Sequence, residues 1–311
     1  MLRYWYCAAL LLSLSAHAVQ AQEGPQLLYV SAGSGNPEII LKQPDVDPAI
    51  LNANTASDIF PYWSRNGKRI AYSSNRTGRF QIYSMDALGA GAFQVSLERT
   101  ADSLSPSWSP TGEHIVYQHG RDHKWELVVI TADGEEWRPI VKNAWQPDWS
   151  PPREQGDRIA FVGAEHDAGL FIYTCEPSGI DIRRIHRLAN RIGLVHPIWS
   201  PDAKLIAFTD RLQSTDRQQL TDGKEVTHRQ HKSHEIFVCG PEGQNVRALT
   251  KLGLRNVYPN WTPDGKHITF LHERPDHLWQ TMMVNVETLE VTALKVVPVE
   301  SFILGRRASW F

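Results

Sequence analysis

A six-bladed β-propeller is the fold this sequence predicts, and three observations predict it. A short unit recurs along the chain. Its period is that of a four-stranded blade. A fragment of the same unit stands alone at the C-terminus, where a closing strand is needed. The unit is clearest from Pro61 to Met85, PYWSRNGKRIAYSSNRTGRFQIYSM. Pro61, Tyr62 and Trp63 open a strand. Ser64 to Gly67 form a turn, with Gly67 free to take positive φ. Arg69 to Ser73 and Phe80 to Met85 follow as two β-rich strands.

The copies lie at Pro106-Ser107-Trp108-Ser109-Pro110, Pro147-Asp148-Trp149-Ser150-Pro151, Pro197-Ile198-Trp199-Ser200-Pro201 and Pro259-Asn260-Trp261-Thr262-Pro263. Each leads into a strand of the Ile-Ala-Phe type: Ile115-Val116-Tyr117, Ile159-Ala160-Phe161, Ile206-Ala207-Phe208 and Ile268-Thr269-Phe270. The motif tryptophans Trp63, Trp108, Trp149, Trp199 and Trp261 are spaced by 45, 41, 50 and 62 residues. A repeat of roughly 40–50 residues built from four short strands is the signature of a propeller. The units resemble the WD40-like repeat of the TolB propeller family, P-x-W-S-P-D-G followed by I-A-F-type and I-Y-type strands. The resemblance runs over nearly the whole chain after its N-terminal segment.

Leu27 to Ser31 resembles the I-A-F strand and Glu38 to Leu41 the I-Y strand, yet no P-x-W strand precedes them. The missing strand is at the other end, where Trp310 stands in register, 49 residues after Trp261. The sixth blade is therefore expected to be split, residues 306–311 pairing with strands from residues 26–55. Such closure removes the open edge of the ring. Two departures from the motif stand out. Blade 3 stretches its first hairpin from Ser150 to Asp157, and blade 4 has Ala203 where the turn prefers glycine. If Ala203 is left-handed, the penalty is about 1 kcal/mol. Blade 4 also carries a polar insertion, Arg211 to Ser233, read as a long surface loop.

The 311 residues suffice for one large all-β domain. A formal net charge of −2 excludes a general basic field for nucleic acid. Residues 1–21 read as a secretory signal peptide: Arg3, then an apolar run from Tyr4 to Ser15 too short for a membrane span, then cleavage after Ala21 or, alternatively, Ala18. Residues 22–311 form the propeller, and no later run is long enough to span a bilayer. The expected location is periplasmic or secreted. Cys175 and Cys239 sit at the same position of the third strands of successive blades, beyond the ~7 Å Cα limit for bridging, so two buried, unbridged thiols are expected.

Blade faces pack on their neighbours, and the motif tryptophans are read as inter-blade core. The free positions are the channel and the loops at its ends. The residues three before each motif tryptophan are Phe60, Ser105, Gln146, His196, Tyr258 and Arg307, with Trp145 and Arg255 close by. They are expected to line the upper mouth, the end bearing the loops that enter the innermost strands. Tyr, Trp and Arg are side chains that anchor interfaces. Phe60, Trp145, His196, Tyr258, Arg255 and Arg307 are accordingly the candidate partner-binding set. In the insertion, His228, His231 and His234 have the composition for zinc or copper. Spacing of three aligns them only on a 3₁₀-like turn and alternates them on a strand, so a solvated loop is the competing reading.

The chain carries no G-x-S-x-G elbow, no H-E-x-x-H, no paired C-x-x-C and no P-loop. The resemblance implies a non-enzymatic protein, monomeric and without a cofactor, that binds an envelope protein or peptide segment. The TolB protein proper has an α/β domain ahead of its propeller, whereas this propeller is read to begin directly after the signal. The expectation is therefore a stand-alone TolB-like protein rather than one with a full Tol–Pal role. The alternatives are a lyase or hydrolase acting on carbohydrate, with a divalent metal, and a small-ligand binder at the channel mouth.

Overall fold

The computed structural model describes residues 26–32, 35–97, 100–122, 124–189, 195–214, 231–294 and 309–310. These form six four-stranded antiparallel sheets and no helix. Five sheets are consecutive in sequence, and their innermost strands are Asp58–Trp63, Asp102–Trp108, Ala144–Trp149, Ile198–Trp199 and Asn256–Trp261. The sixth sheet is split as expected. Ser309–Trp310 pairs with Leu27–Ser31 through Leu27↔Trp310 and Leu28↔Ser309, and Glu38–Lys42 and Ala49–Ile50 complete it. Arg306 to Ala308 and Phe311 lie outside the described residues.

The Ile-Ala-Phe pattern has a packing explanation. Residues alternate between the two faces of a strand, and each face meets a different blade. In blade 1, Ile70 and Tyr72 pack toward blade 6 with Leu28, Ile39 and Trp63, while Ala71 packs toward blade 2 with Trp108 and Ile115. Blade 3 does the same, Ile159 and Phe161 facing blade 2 and Ala160 facing blade 4. Blade 4 repeats it with Ile206 and Phe208 against Ala207. Large residues thus fill the seam behind a blade and a small one accepts the next. Each of the five tryptophans joins the seam between its own blade and the one before, at 4–6% exposure. Truncating one costs about 3–5 kcal/mol.

The proline of the motif marks a bulge. Register slips between Ile59 and Tyr62, Leu104 and Ser107, Trp145 and Asp148, and Val257 and Asn260. The proline falls in each gap, where a missing N–H costs no ladder bond. The motif serine is a turn lock. Its hydroxyl oxygen accepts the amide that re-enters the sheet, at 2.9 Å from Arg69 to Ser64, 3.0 Å from His114 to Ser109 and 2.9 Å from Leu205 to Ser200. Across the longer blade 3 hairpin, Arg158 makes the same bond to Ser150 at 3.0 Å. Ala203 is left-handed, with φ 57°.

A second glycine set pins blade to blade. Gly89, Gly134, Gly179 and Gly243 lie in the outer turns of blades 1 to 4, against the outer strand of the preceding blade. A Cβ at these positions would stand 2.2, 2.5, 2.5 and 2.1 Å from the carbonyl oxygens of Leu51, Val95, Ile140 and Ile185. Blade 5 has a longer turn here, with Leu289 at φ 62°.

The blade 4 insertion differs from the expected loop. Its flanks extend the second and third strands, Ile206–Ser214 and His231–Cys239, which pair through Ser214↔His231. Residues 215–230 lie outside the described residues. Cys175 and Cys239 are unbridged and buried, and burial pushes each thiol up to about 12, which keeps it protonated and inert.

Candidate functional site

The residues three before each motif tryptophan share one backbone state. Phe60, Ser105, Gln146, His196 and Tyr258 have φ of 54°, 56°, 53°, 45° and 58°. Non-glycine residues adopt this region at a cost of about 1–2 kcal/mol each. Five such outliers at one level of one ring mark a built feature. In blades 1, 2, 3 and 5 they sit beside the bulges.

Their side chains meet. Phe60 and His196 rings stand 6.3 Å apart, and His196 and Tyr258 rings 4.4 Å apart. Phe60 belongs to blade 1 and His196 to blade 4, which are opposite one another in a ring of six. The contact therefore crosses the propeller axis. Gln146 holds the imidazole in place: its Nε2 is 3.2 Å from His196 Nε2, and its Oε1 accepts the His196 backbone N–H at 2.9 Å. Gln146 is fixed in turn by its own amide donating to Gln118 Oε1 at 2.9 Å. His196 and Tyr258 are buried, at 8% and 3% exposure. This cluster is a plug across the channel, and it brings together three of the candidate partner-binding residues.

The remaining candidates stand apart. Trp145 is half-buried against the seam of blades 3 and 4. Arg255 binds Glu273 with Nε at 2.7 Å and lies over the Trp279 ring. Burial pulls the Glu273 carboxyl up, but the bonds from Arg255 and His277 outweigh it and hold it below the ordinary range. Arg307 and His228 lie outside the described residues. His231 and His234 fall on one strand three residues apart, and in an extended strand that spacing does not return to the same face. His234 is buried, and its backbone N–H donates to Leu254 at 2.9 Å. Among the described residues, no three His, Cys, Asp or Glu side chains converge as metal ligands.

Below the plug the channel opens on the face that carries the Ser-Pro turns. It widens into a cavity of about 390 Å³ walled by Trp63, Trp108, Trp149, Trp199 and Trp261, with Pro110, Pro151, Pro201 and Pro263 around its rim. The walls are thus the same tryptophans that fill the seams, a double role that burial in a seam does not suggest from sequence. Tyr62, Asp148 and Asn260 contribute polar groups. Asp148 is 1% exposed and ties four blades. Its Oδ1 accepts Tyr62 Oη at 2.9 Å and Ser107 Oγ at 3.1 Å, and its Oδ2 accepts the Trp199 amide at 2.8 Å. Across the mouth, Arg65 of blade 1 reaches the Pro201 carbonyl of blade 4 at 3.4 Å. The result is a funnel with aromatic walls, a rigid polar interior and a closed floor.

The comparisons with known proteins agree with this architecture. The family model for the TolB beta propeller domain matches residues 18–152. The TolB of Acinetobacter baumannii superposes with a TM-score of 0.69 at 15% identity, over 92% of this chain and 66% of that one. This chain therefore spans just under two thirds of that TolB's length. A TolB candidate from Agrobacterium tumefaciens gives 0.60 at 16% identity, over 86% and 87% of the two chains. An oligogalacturonate lyase of Vibrio parahaemolyticus gives 0.51 at 13% identity, over 88% and 73%. No curated protein matches the sequence. Fold and repeat together define a ring-closed, six-bladed propeller of P-x-W-S-P units. Residues 18–152 thus match the TolB beta propeller domain, and the whole chain shares the propeller fold of the TolB structures.

Proposed function

We propose that this chain is an exported propeller of the cell envelope that binds a polypeptide segment, without catalysis, in the tryptophan-walled funnel. One observation carries the reading. The channel is shut by Phe60, His196 and Tyr258 at one end and open at the other, where its walls are aromatic. A segment would enter from the open face and stop at the floor rather than thread through the ring. Tryptophan walls give large, rigid contact area at little cost in conformational entropy, and the Asp148 network keeps them preorganised.

In this reading Phe60, His196 and Tyr258 form the floor of the site, and Trp145, Arg255 and Arg307 remain as contacts for the opposite face. The envelope location rests on the likeness to TolB, and the signal peptide read in residues 1–21 supports it. Among the described residues no helix is long and apolar enough to cross a membrane. Affinity capture from the native envelope tests the proposal. The wild type should recover a specific protein, and Arg65→Trp, which places an indole in the funnel mouth, should lose it. Equal recovery by both would move the contact away from the funnel.

A further inference from the structure

Blade 3 departs from the repeat at its first hairpin, and the departure has a consequence away from the channel. The added residues carry Arg153 and Gln155 to the seam between blades 3 and 4. There they meet Arg158 and Arg183 of blade 3 and Glu242 and Gln244 from the outer turn of blade 4, around a cavity of about 400 Å³. The turn is fixed in place, because Gly243 lies against the Ile185 backbone where a Cβ would stand 2.1 Å from the carbonyl oxygen. The cavity is thus walled by well-positioned chain, at the lower end of the size range of small-ligand sites.

Two of the three arginines are already engaged. Arg158 donates from Nε to Thr174 Oγ1 at 3.0 Å and from Nη1 to Asp181 Oδ2 at 2.9 Å. Arg183 donates from Nε to Asp181 Oδ1 at 3.1 Å and from Nη1 to the Glu242 carboxylate at 3.3 Å. Arg153 is different. Its guanidinium lies 4.9 Å from the centre of the Trp199 ring, and among the described residues its one hydrogen bond is a long 3.4 Å contact from Nη2 to Gln155 Oε1. Its Nη1 is buried with no hydrogen-bond partner, and it forms no ion pair, among the described residues. Burial, followed by the charges of Arg158 and Arg183, lowers its pKa despite the field of Glu242. Asp157 of the same hairpin opposes that shift through its charge, and burial pushes its own carboxyl up. A partly buried cation with a shielded, unspent donor is costly, and the planar fork of arginine suits carboxylate or phosphate oxygens.

We propose that this seam cavity binds a small oxyanion, a carboxylate or a phosphate, on the Arg153 guanidinium, with the side-chain amides of Gln155 and Gln244 as neutral donors. Glu242, exposed at the rim and bound to Arg183, competes with the ligand for that arginine. The cavity shares no lining residue with the funnel, although Arg153 lies over Trp199 of the funnel wall.

Isothermal titration of the full chain with inorganic phosphate and, separately, with acetate tests the proposal and tells the two sources apart. Saturable binding of one or both anions is expected, weakened about tenfold or more in Arg153→Gln. Glu242→Gln, which frees Arg183, should tighten binding several-fold. Arg121→Gln, on the opposite face, should leave it unchanged and so exclude a general charge effect. The proposal is overturned if neither anion saturates, if folded Arg153→Gln binds as the wild type does, or if Arg121→Gln weakens binding equally. Should Arg153→Gln fail to fold, Glu242→Gln decides: tighter binding supports the site, and unchanged or weaker binding overturns it.

Discussion

The Tyr62 hydroxyl donates to Asp148 Oδ1 at 2.9 Å, joining the innermost strands of blades 1 and 3 across the blade between them. The same carboxylate accepts the Ser107 hydroxyl of blade 2 and the Trp199 amide of blade 4. One buried side chain therefore sets the relative position of four blades inside the funnel. Tyr62→Phe removes one bond and should cost about 1 kcal/mol. Asp148→Ala strands three donors and should cost about 3 kcal/mol or more. Urea unfolding of the two single variants and the double variant measures both, and the Tyr62→Phe effect should nearly vanish once Asp148 is alanine.

The two kinds of glycine predict different penalties. Gly112 is left-handed, φ 76°, with nothing within 4 Å of where a Cβ would sit. Gly112→Ala should therefore cost only the conformational term, about 1 kcal/mol. Gly134 is also left-handed, and its Cβ would stand 2.5 Å from the Val95 carbonyl oxygen. Gly134→Ala forces blades 1 and 2 apart and should cost several-fold more than Gly112→Ala. Thermal melts of the pair check the ordering.

Closure of the ring rests on few residues. The strand Ser309–Trp310 pairs with Leu27 and Leu28. Its removal exposes an unpaired strand edge in the sixth blade. A chain ending at residue 308 should melt at a markedly lower temperature than the full chain, far beyond the effect of trimming an ordinary terminus. An unchanged melt would show that the ring is held without its closing strand.

Stability should fall on mild acidification. His234 is held below its ordinary value of 6.5 first by burial and then by Arg211 and Arg255, against the opposing fields of Asp210 and Glu235. Burial likewise lowers His272, whose Nδ1 lies 2.8 Å from Asn256 Oδ1. With folded values below the unfolded one, the unfolded chain takes up these protons first. Their contribution is complete above pH about 6.5 and is lost as the pH falls toward the folded values. Melting temperatures should be level above that pH and drop below it, and His234→Gln should shallow the drop.

How much of this was legible in the sequence depends on how local each feature is. The blades and the split sixth sheet were readable because Trp310 keeps the register of the repeat. The Ala203 strain was readable because the turn type demands positive φ at that position. The plug was not. It depends on a left-handed residue directly before a proline and on contacts between blades more than a hundred residues apart, as between Phe60 and His196. Those residues read as an open mouth, and burial makes them a floor. The funnel was hidden for the opposite reason, since tryptophans that fill seams can also wall a cavity where the seams converge. The inter-blade glycines did leave a signal: Gly89, Gly134 and Gly179 recur at intervals of 45 residues. The course of the insertion was less legible, because the strands of blade 4 run on into it and carry His231 and His234.

The central claim is that a polypeptide seats in the funnel and not on the plugged face. Site-specific photocrosslinking in the native envelope tests it most directly, with the crosslinker placed at residue 65 or 110 on the funnel rim, or at residue 121 on the opposite face. The account predicts one protein adduct of defined mass from positions 65 and 110 and none from position 121. The same adduct from position 121 alone would contradict it and return the contact to the opposite end of the channel.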